Sequence, residues 1–252
     1  MRYSEYPENF ARFYDLIYHE LRDGIDNEFF LDEIKKTGGS VLEVGVGTGR
    51  LFLKALKLGA DIYGIDVSKS MIRILSGKLR EKDRARISIQ NLIDFNFNFP
   101  FSLVLAPFRV IMHLTDKSDQ LVALNNVYNH LKPGGKFIFD TFVPDLNYLI
   151  KGLEHHVDFE GEYEKGKKLK RIVSTRPDLI NQLIHVHFRL EWEEKNNVRS
   201  EEWDLPLRFF FRYELEHLIE RSYFEKYQIL GDFEGNRLAQ KSKEFIVICR
   251  KE

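Results

Sequence analysis

Cysteine is almost absent from this sequence, because the 252 residues contain a single one, Cys249, within the apolar segment 245–249. One cysteine forms no disulfide within the chain, and its apolar surroundings indicate core packing. A chain without disulfides suits a reducing compartment. We therefore expect a cytoplasmic protein.

Long apolar runs and an excess of charge of one sign are also missing. No stretch approaches the roughly 20 residues that a membrane-spanning helix needs, and residues 1–10 lack the apolar segment of a signal peptide. The formal net charge is −1, so no chain-wide positive field favours nucleic acid or anionic lipid. The basic segment 164–171 is typical of an exposed hairpin tip. We expect neither a nucleic-acid partner nor a membrane.

What the sequence does contain is an alternation of short apolar segments with helical patterns. Two helices are expected within residues 8–35. Strands are then predicted at 40–45, 61–66, 86–91, 101–107 and 136–142, and helices at 48–59, 68–82 and 116–131. This order predicts an α/β fold, with a doubly wound parallel sheet and helices on both faces.

The pattern of apolar and polar residues changes after Pro144. Antiparallel strands are predicted at 155–164, 168–176, 182–194 and 198–211, followed by a helix at 212–224 and strands at 225–233 and 243–251. We therefore predict a core domain formed by residues 1–150 and 212–252. A small antiparallel β subdomain, residues 151–211, is inserted into it.

A glycine-rich loop follows the first predicted strand. Gly45, Gly47 and Gly49 lie between that strand and a helix, an order that forms an anion site at the helix N-terminus. Dinucleotide-binding loops have the spacing G-x-G-x-x-G, whereas this loop has G-x-G-x-G. Glu43 precedes it, and a carboxylate opposes a phosphate but suits a ligand with an ammonium group.

Four segments carry a resemblance to a known family: VLEVGVGTGR at 41–50, YGIDVSKSMI at 63–72, LKPGGKFIFDTFVPD at 131–145 and LRFFFRYELEHLIERSYF at 207–224. In this order they resemble class I S-adenosylmethionine-dependent methyltransferases. The resemblance covers residues 8–145 and 207–250. It implies a Rossmann-like seven-stranded sheet with the last strand antiparallel. It also implies S-adenosylmethionine as cofactor, S-adenosylhomocysteine as product, and no metal.

The resemblance also assigns a cofactor site. The N–H groups around Gly45, Gly47 and Gly49 would face the methionine end, with Glu43 holding that network. Asp66 would accept both ribose hydroxyls in charge-assisted hydrogen bonds.

The adenine end is assigned in the same way. Val67 would lie against the base, and the N–H of Leu92 would meet a ring nitrogen. Asn91 stands where the family commonly has an acidic residue, and its carbonyl oxygen would accept from the adenine amino group without charge. Asp94 is an alternative acceptor. Ala106 completes this set.

The segment 10–18 resembles the N-terminal helix that closes over the cofactor in small-molecule members of the family. Tyr14 is the residue that we expect against the ligand. The alternative is that its ring packs this helix onto the sheet.

Two residues of the loop 106–114 are candidates on the acceptor side. Arg109 and His113 are four positions apart and on a helical turn would share a face. Arg109 would bind an acidic acceptor or the cofactor carboxylate, and His113 would take a proton. The alternative has Arg109 in solvent and His113 packed on a helix. His185 and His187 form a His-x-His pair, but no third metal ligand has clear spacing.

The resulting hypothesis is in-line methyl transfer to a small-molecule acceptor, which needs positioning more than a protein nucleophile. The inserted residues 151–211 would cover the acceptor site. Two alternatives stay open. One is an NAD(P)-dependent oxidoreductase, and the other is a non-catalytic S-adenosylmethionine-binding protein without an open acceptor cavity.

Overall fold

The alternating segments of the first half fold as strands and helices in the expected order. The structure, a computed structural model, describes residues 5–21, 24–195 and 197–252. Its first elements are α1 (Glu8–Leu21), α2 (Ile25–Lys35), β1 (Val41–Val44), α3 (Phe52–Lys57), β2 (Ile62–Asp66), α4 (Lys69–Lys78), β3 (Ile87–Ile89), β4 (Phe101–Ala106), α5 (Lys117–His130) and β5 (Leu131–Phe142).

The second half adds the inserted strands and completes the main sheet. Its elements are α6 (Leu146–Lys151), β6 (Leu153–Glu164), β7 (Lys167–Asp178), β8 (Leu183–Glu194), β9 (Asn197–Arg208), α7 (Arg212–Glu220), β10 (Lys226–Leu230) and β11 (Glu244–Arg250). Seven strands form one sheet in the order β10-β11-β5-β4-β1-β2-β3. The last strand, β11, is antiparallel to both neighbours, while β1 to β5 pair in parallel. The α/β fold prediction is confirmed.

The main sheet buries apolar side chains on both faces, as a sheet covered by helices requires. In β4, Leu103 and Leu105 pack with Phe30 of α2 in one apolar cluster. The alternate residue Val104 packs with Phe10 of α1 in the other cluster. Burial on both sides explains why this strand is a continuous apolar run rather than an alternating one.

The insertion forms a separate antiparallel sheet in the order β6-β7-β8-β9. Its apolar face packs on α1. The ring of Phe13 lies 5.0 Å from Tyr163 and 5.9 Å from Trp192, and Phe10 lies 5.6 Å from Trp203. The first helix therefore lies between the inserted sheet and the core.

Several element boundaries differ from expectation, and three of these differences have a clear local cause. The helix predicted at 68–82 ends at Lys78, because Leu79 has an extended backbone. The strand predicted from residue 136 begins at Leu131, since Gly134 and Gly135 exchange hydrogen bonds with Lys251. The strand predicted at 198–211 ends at Arg208, because Glu214 accepts a hydrogen bond from the N–H of Phe211 and starts α7 there.

Two findings bear on the composition argument. None of the helices in the described ranges is long and apolar enough to cross a membrane. Cys249 lies in β11, where burial raises the pKa of its thiol well above the usual value. The thiol therefore packs as an apolar group.

Two valines of α5 test how much the core depends on this packing. Val127 is 0% exposed and Val122 is 49% exposed. We expect Val127→Ala to lower the free energy of unfolding by about 2 kcal/mol, because it leaves a buried void. Val122→Ala, the same change on the outer side of the helix, should stay within about 0.5 kcal/mol. Urea unfolding measures both, and equal losses would contradict this packing.

Candidate functional site

A cavity of about 360 Å³ opens at the carboxyl ends of β1, β2 and β4. Open α/β sheets bind ligands at this edge. Its walls come from α1, the glycine loop, the segments after β2, β3 and β4, and strand β9 of the insertion. The cavity brings together eight of the residues predicted from sequence: Tyr14, Gly45, Gly47, Asp66, Val67, Asn91, Leu92 and His113.

The glycine loop has the left-handed backbone that its composition predicts. Gly45, Gly47 and Gly49 have φ angles of 69°, 54° and 91°. A Cβ on Gly45 would overlap Val110, whereas one on Gly47 would have only the Gly45 carbonyl oxygen within 4 Å, at 3.9 Å. Gly47 therefore keeps its part of the wall open. Gly49 is outside the cavity lining, and a Cβ there would overlap Leu75 of α4.

The amides of this loop donate within the protein. Gly47 N–H donates to Asp66 Oδ2 at 2.9 Å, and Gly49 N–H donates to the Val46 carbonyl at 3.0 Å. In this structure these two groups therefore hold the loop in shape rather than face the cavity.

Asp66 ends β2 and joins two loops through its carboxylate. Its Oδ1 accepts from Ser68 N–H at 2.8 Å, and its Oδ2 accepts from Gly47 N–H. Burial raises the pKa of Asp66, and the backbone N–H groups oppose that shift. A carboxylate oxygen can accept more than one hydrogen bond, so both oxygens keep capacity for a diol.

Glu43 lies behind the cavity rather than in its wall. The residue is 2% exposed, and its Oε2 has no hydrogen-bond partner among the described residues. Burial raises the pKa of Glu43 well above the usual value; Arg50 opposes the shift and Asp66 adds to it. The guanidinium of Arg50 also bonds Asp26 in two places, at 2.6 and 3.0 Å.

Helix α1 is tied to the glycine loop by polar contacts. Asp15 accepts from Thr48 Oγ1 at 2.6 Å and from Lys78 Nζ at 2.5 Å. Lys78 also donates to the Thr48 carbonyl at 2.9 Å. These bonds hold Tyr14, which lines the cavity, above the loop.

The polar groups on the side of the cavity assigned to adenine differ from those expected. Asn91 Oδ1 accepts from Ile93 N–H at 3.2 Å and so closes its own turn. Asp94 is exposed and outside the lining, as is Ala106, which is buried in β4. Gln90, which sequence reasoning missed, lines the wall instead.

Arg109 and His113 do not share a face, so that expectation is wrong. Arg109 has a φ of 65° and precedes the short 3-10 helix Val110–His113, so helical spacing does not apply to it. Its guanidinium bonds Glu244 at 3.0 Å and lies 5.0 Å from the ring of Phe142, away from the cavity. His113 lines the cavity, and burial lowers its pKa to about 4.

Several lining residues were not found from sequence, chiefly Tyr6, Phe108, Thr115, Leu205 and Pro206. They meet only through tertiary packing of the segment before α1, the loop after β4 and strand β9. One local signal was available. A proline inside a strand marks an edge strand, and Pro206 lies in β9, the edge of the inserted sheet that faces the cavity.

The histidine pair of β8 has an ordinary surface partner. His187 Nδ1 lies 2.9 Å from Asp204 Oδ1. The described part of the chain holds no group of three or more side chains placed to bind a metal.

The buried carboxyl of Glu43 predicts a pH effect on stability. A carboxyl with a raised pKa in the folded state binds more protons there than in the unfolded chain, so the free energy of unfolding falls as pH rises between the two pKa values. Glu43→Gln removes this loss. We expect its melting temperature, relative to that of the unmodified protein, to rise from pH 4.5 to pH 8. The exposed Glu81→Gln is the control, and a pH-independent difference for Glu43→Gln would contradict the placement.

Known proteins of similar sequence are described as methyltransferases. A methyltransferase domain model matches residues 41–135. An uncharacterized methyltransferase of Bacillus cereus is 32% identical over 191 residues, which are 73% of this chain and 81% of that protein. Other Bacillus relatives with the same description match over 152 residues, 60% of this chain and 63% of their own length.

Solved structures share the fold over nearly the whole chain. An S-adenosylmethionine-dependent methyltransferase from Clostridium acetobutylicum has a TM-score of 0.75 at 18% identity and covers 96% of this chain and 98% of its own. The sugar N-methyltransferase KedS8 from Streptoalloteichus has a TM-score of 0.76 at 18% identity. The match covers 99% of this chain and 97% of KedS8. Together with the Bacillus relative, they establish that the chain belongs to the class I S-adenosylmethionine-dependent methyltransferases.

Proposed function

We propose that this protein methylates an uncharged amine nitrogen of a small molecule, with S-adenosylmethionine bound beneath α1. One observation carries the proposal. A single cavity joins Gly47 and Asp66 of the core to Leu205 and Pro206 of the insertion. A cofactor and a second molecule would therefore meet at one place.

The residues of the cavity fit the cofactor chemically. Gly47 leaves room where any side chain would enter the cavity, and the Asp66 carboxylate suits a ribose diol. Tyr14, Val67, Asn91 and Leu92 would enclose the adenosine part. Bound S-adenosylmethionine supplies a methyl carbon that its sulfonium activates.

The acceptor would lie against the loop after β4 and strand β9, under the inserted residues 151–211. Among the described lining residues, Asp66 is the one carboxyl, and the lowered pKa of His113 keeps its imidazole neutral. A charged ammonium would lose its hydration there without a partner of its own. The neutral amine is also the form whose lone pair is free.

A neutral amine needs no base before its nitrogen attacks: the nitrogen–carbon bond forms as the carbon–sulfur bond breaks, S-adenosylhomocysteine leaves, and the methylated ammonium loses its proton to water. His113 and Thr115 can orient it by hydrogen bonds, while Leu205 and Pro206 exclude water. The resemblance of the fold to a sugar N-methyltransferase supports nitrogen as the methylated atom.

The proposal extends to partners and location. We infer a small-molecule partner rather than nucleic acid or a membrane, because the formal net charge is −1. A cytoplasmic location is supported by the single, buried cysteine.

Binding of S-adenosylhomocysteine tests the cofactor side. Asp66→Asn should weaken its affinity by about 2 kcal/mol, roughly 30-fold, because the ribose would lose a charged acceptor. Asp61→Asn is the matched control. Asp61 lies just before the same strand and pairs with Arg86 at 2.7 Å on the surface, far from the cavity edge of the sheet. Titration calorimetry measures both, and unchanged binding by a folded Asp66→Asn protein would contradict the site.

Turnover tests the acceptor side. We expect the protein to transfer a trideuterated methyl group from S-adenosylmethionine to a nitrogen of a small molecule in a metabolite extract, as identified by mass spectrometry. A product methylated on oxygen or carbon would contradict the amine assignment. Cofactor binding with no labelled product would favour the non-catalytic alternative, and tight NAD binding would revive the oxidoreductase.

A further inference from the structure

A buried arginine lies on the inner face of the inserted sheet. Arg171 of β7 is 4% exposed. Its Nε and Nη2 donate to the two carboxylate oxygens of Asp158 at 3.0 and 2.7 Å. This bidentate pair fixes the plane of the guanidinium.

Two aromatic rings from different elements flank that guanidinium. Its Cζ lies 4.9 Å from the ring centre of Tyr18 in α1 and 5.1 Å from that of Phe188 in β8. Both distances are in the range of cation–π attraction. One side chain of the insertion therefore contacts the helix that covers the cavity.

Tyr18 continues the contact to the cavity wall. Its ring lies 4.4 Å from Tyr14 and 5.2 Å from Phe108, edge to face in the second case. Both neighbours line the cavity. Phe108 is also contacted by Arg50, which lies beside the glycine loop. The Cζ of Arg50 lies 5.0 Å from the ring centre of Phe108. A continuous series of aromatic and cation–π contacts thus runs from Arg171 to the cofactor side of the site.

Stability alone does not account for an ion pair at this place. The buried guanidinium and the partly buried carboxylate, which is 20% exposed, both lose hydration, and apolar side chains in place of such a pair are often equally or more stabilising. A guanidinium differs from them because it is planar, bonds a carboxylate in two places and stacks on rings at once. Arg171 and Asp158 therefore provide a fixed orientation for Tyr18.

We propose that Arg171 is a positioning residue that, through Tyr18, sets Tyr14 and Phe108 against the cofactor. The insertion then builds part of the cofactor site besides covering the acceptor. This inference rests on the proposed function only in that the cavity binds S-adenosylmethionine.

Paired substitutions test it. The double variant Asp158→Leu/Arg171→Met removes both charges without leaving one unpaired. We expect it to melt at or above the temperature of the unmodified protein, yet to bind S-adenosylhomocysteine about 10-fold more weakly by titration calorimetry. Tyr18→Leu should weaken binding similarly. In the triple variant the two losses should not multiply, because both act through the same ring.

The outer face of the same sheet offers a matched control. Arg189 pairs with Glu191 at 2.8 Å on that face. Arg189→Met/Glu191→Leu should leave the affinity unchanged. Arg171→Lys keeps the positive charge but lacks the planar guanidinium. Its affinity for S-adenosylhomocysteine should lie between those of the unmodified protein and the double variant, and this variant replaces the double variant if that one fails to fold.

The possible results separate the two hypotheses. Wild-type affinity in folded Asp158→Leu/Arg171→Met, or in Arg171→Lys if that is the variant that folds, would overturn the positioning role. Losses that multiply in the triple variant would also overturn it. Failure of the unmodified protein to bind S-adenosylhomocysteine would instead contradict the proposed function.

Discussion

The carboxylate of Asp66 is the constraint on which the site depends. It accepts hydrogen bonds from Gly47 and Ser68, and so fixes the loops that follow β1 and β2 relative to each other. Without it, two backbone donors would lie at a buried edge with no partner, which is costly. Because protein groups hold these loops, their shape exists before any ligand binds. Binding then requires little ordering of the chain.

Helix α1 belongs to the site because two different surfaces hold it. Towards the core, Asp15 bonds Thr48 and Lys78 beside the glycine loop. Towards the insertion, the rings of Phe10 and Phe13 pack on the inserted sheet. The core alone would leave the second surface in water. The inserted sheet and the N-terminal helix therefore form one packed unit, although about 130 residues separate them along the chain.

Sequence reasoning found what is local and missed what is assembled. The alternation of strands and helices and the glycine loop follow from periodicity and spacing over a few residues, whereas the role expected of Asp66 follows from the resemblance to the methyltransferases. Tyr6, Phe108 and Leu205 line the cavity through packing between distant segments, which spacing does not encode. The expectation for Arg109 was wrong for another reason. Its left-handed backbone breaks the helical periodicity on which the expectation rested, and a non-glycine residue gives little warning of that conformation.

The charges behind the glycine loop explain why this edge of the main sheet suits a cationic ligand better than a pyrophosphate. Arg50 is bonded in two places to Asp26, so its charge is largely balanced before it acts on Glu43. The carboxyl of Asp66 adds to the cost that burial already imposes on ionising Glu43. A ligand that brings positive charge relieves that cost, whereas a pyrophosphate adds to it. A sulfonium with an ammonium group is therefore favoured by the protein's own unbalanced carboxyls, beyond what the glycine spacing alone decides.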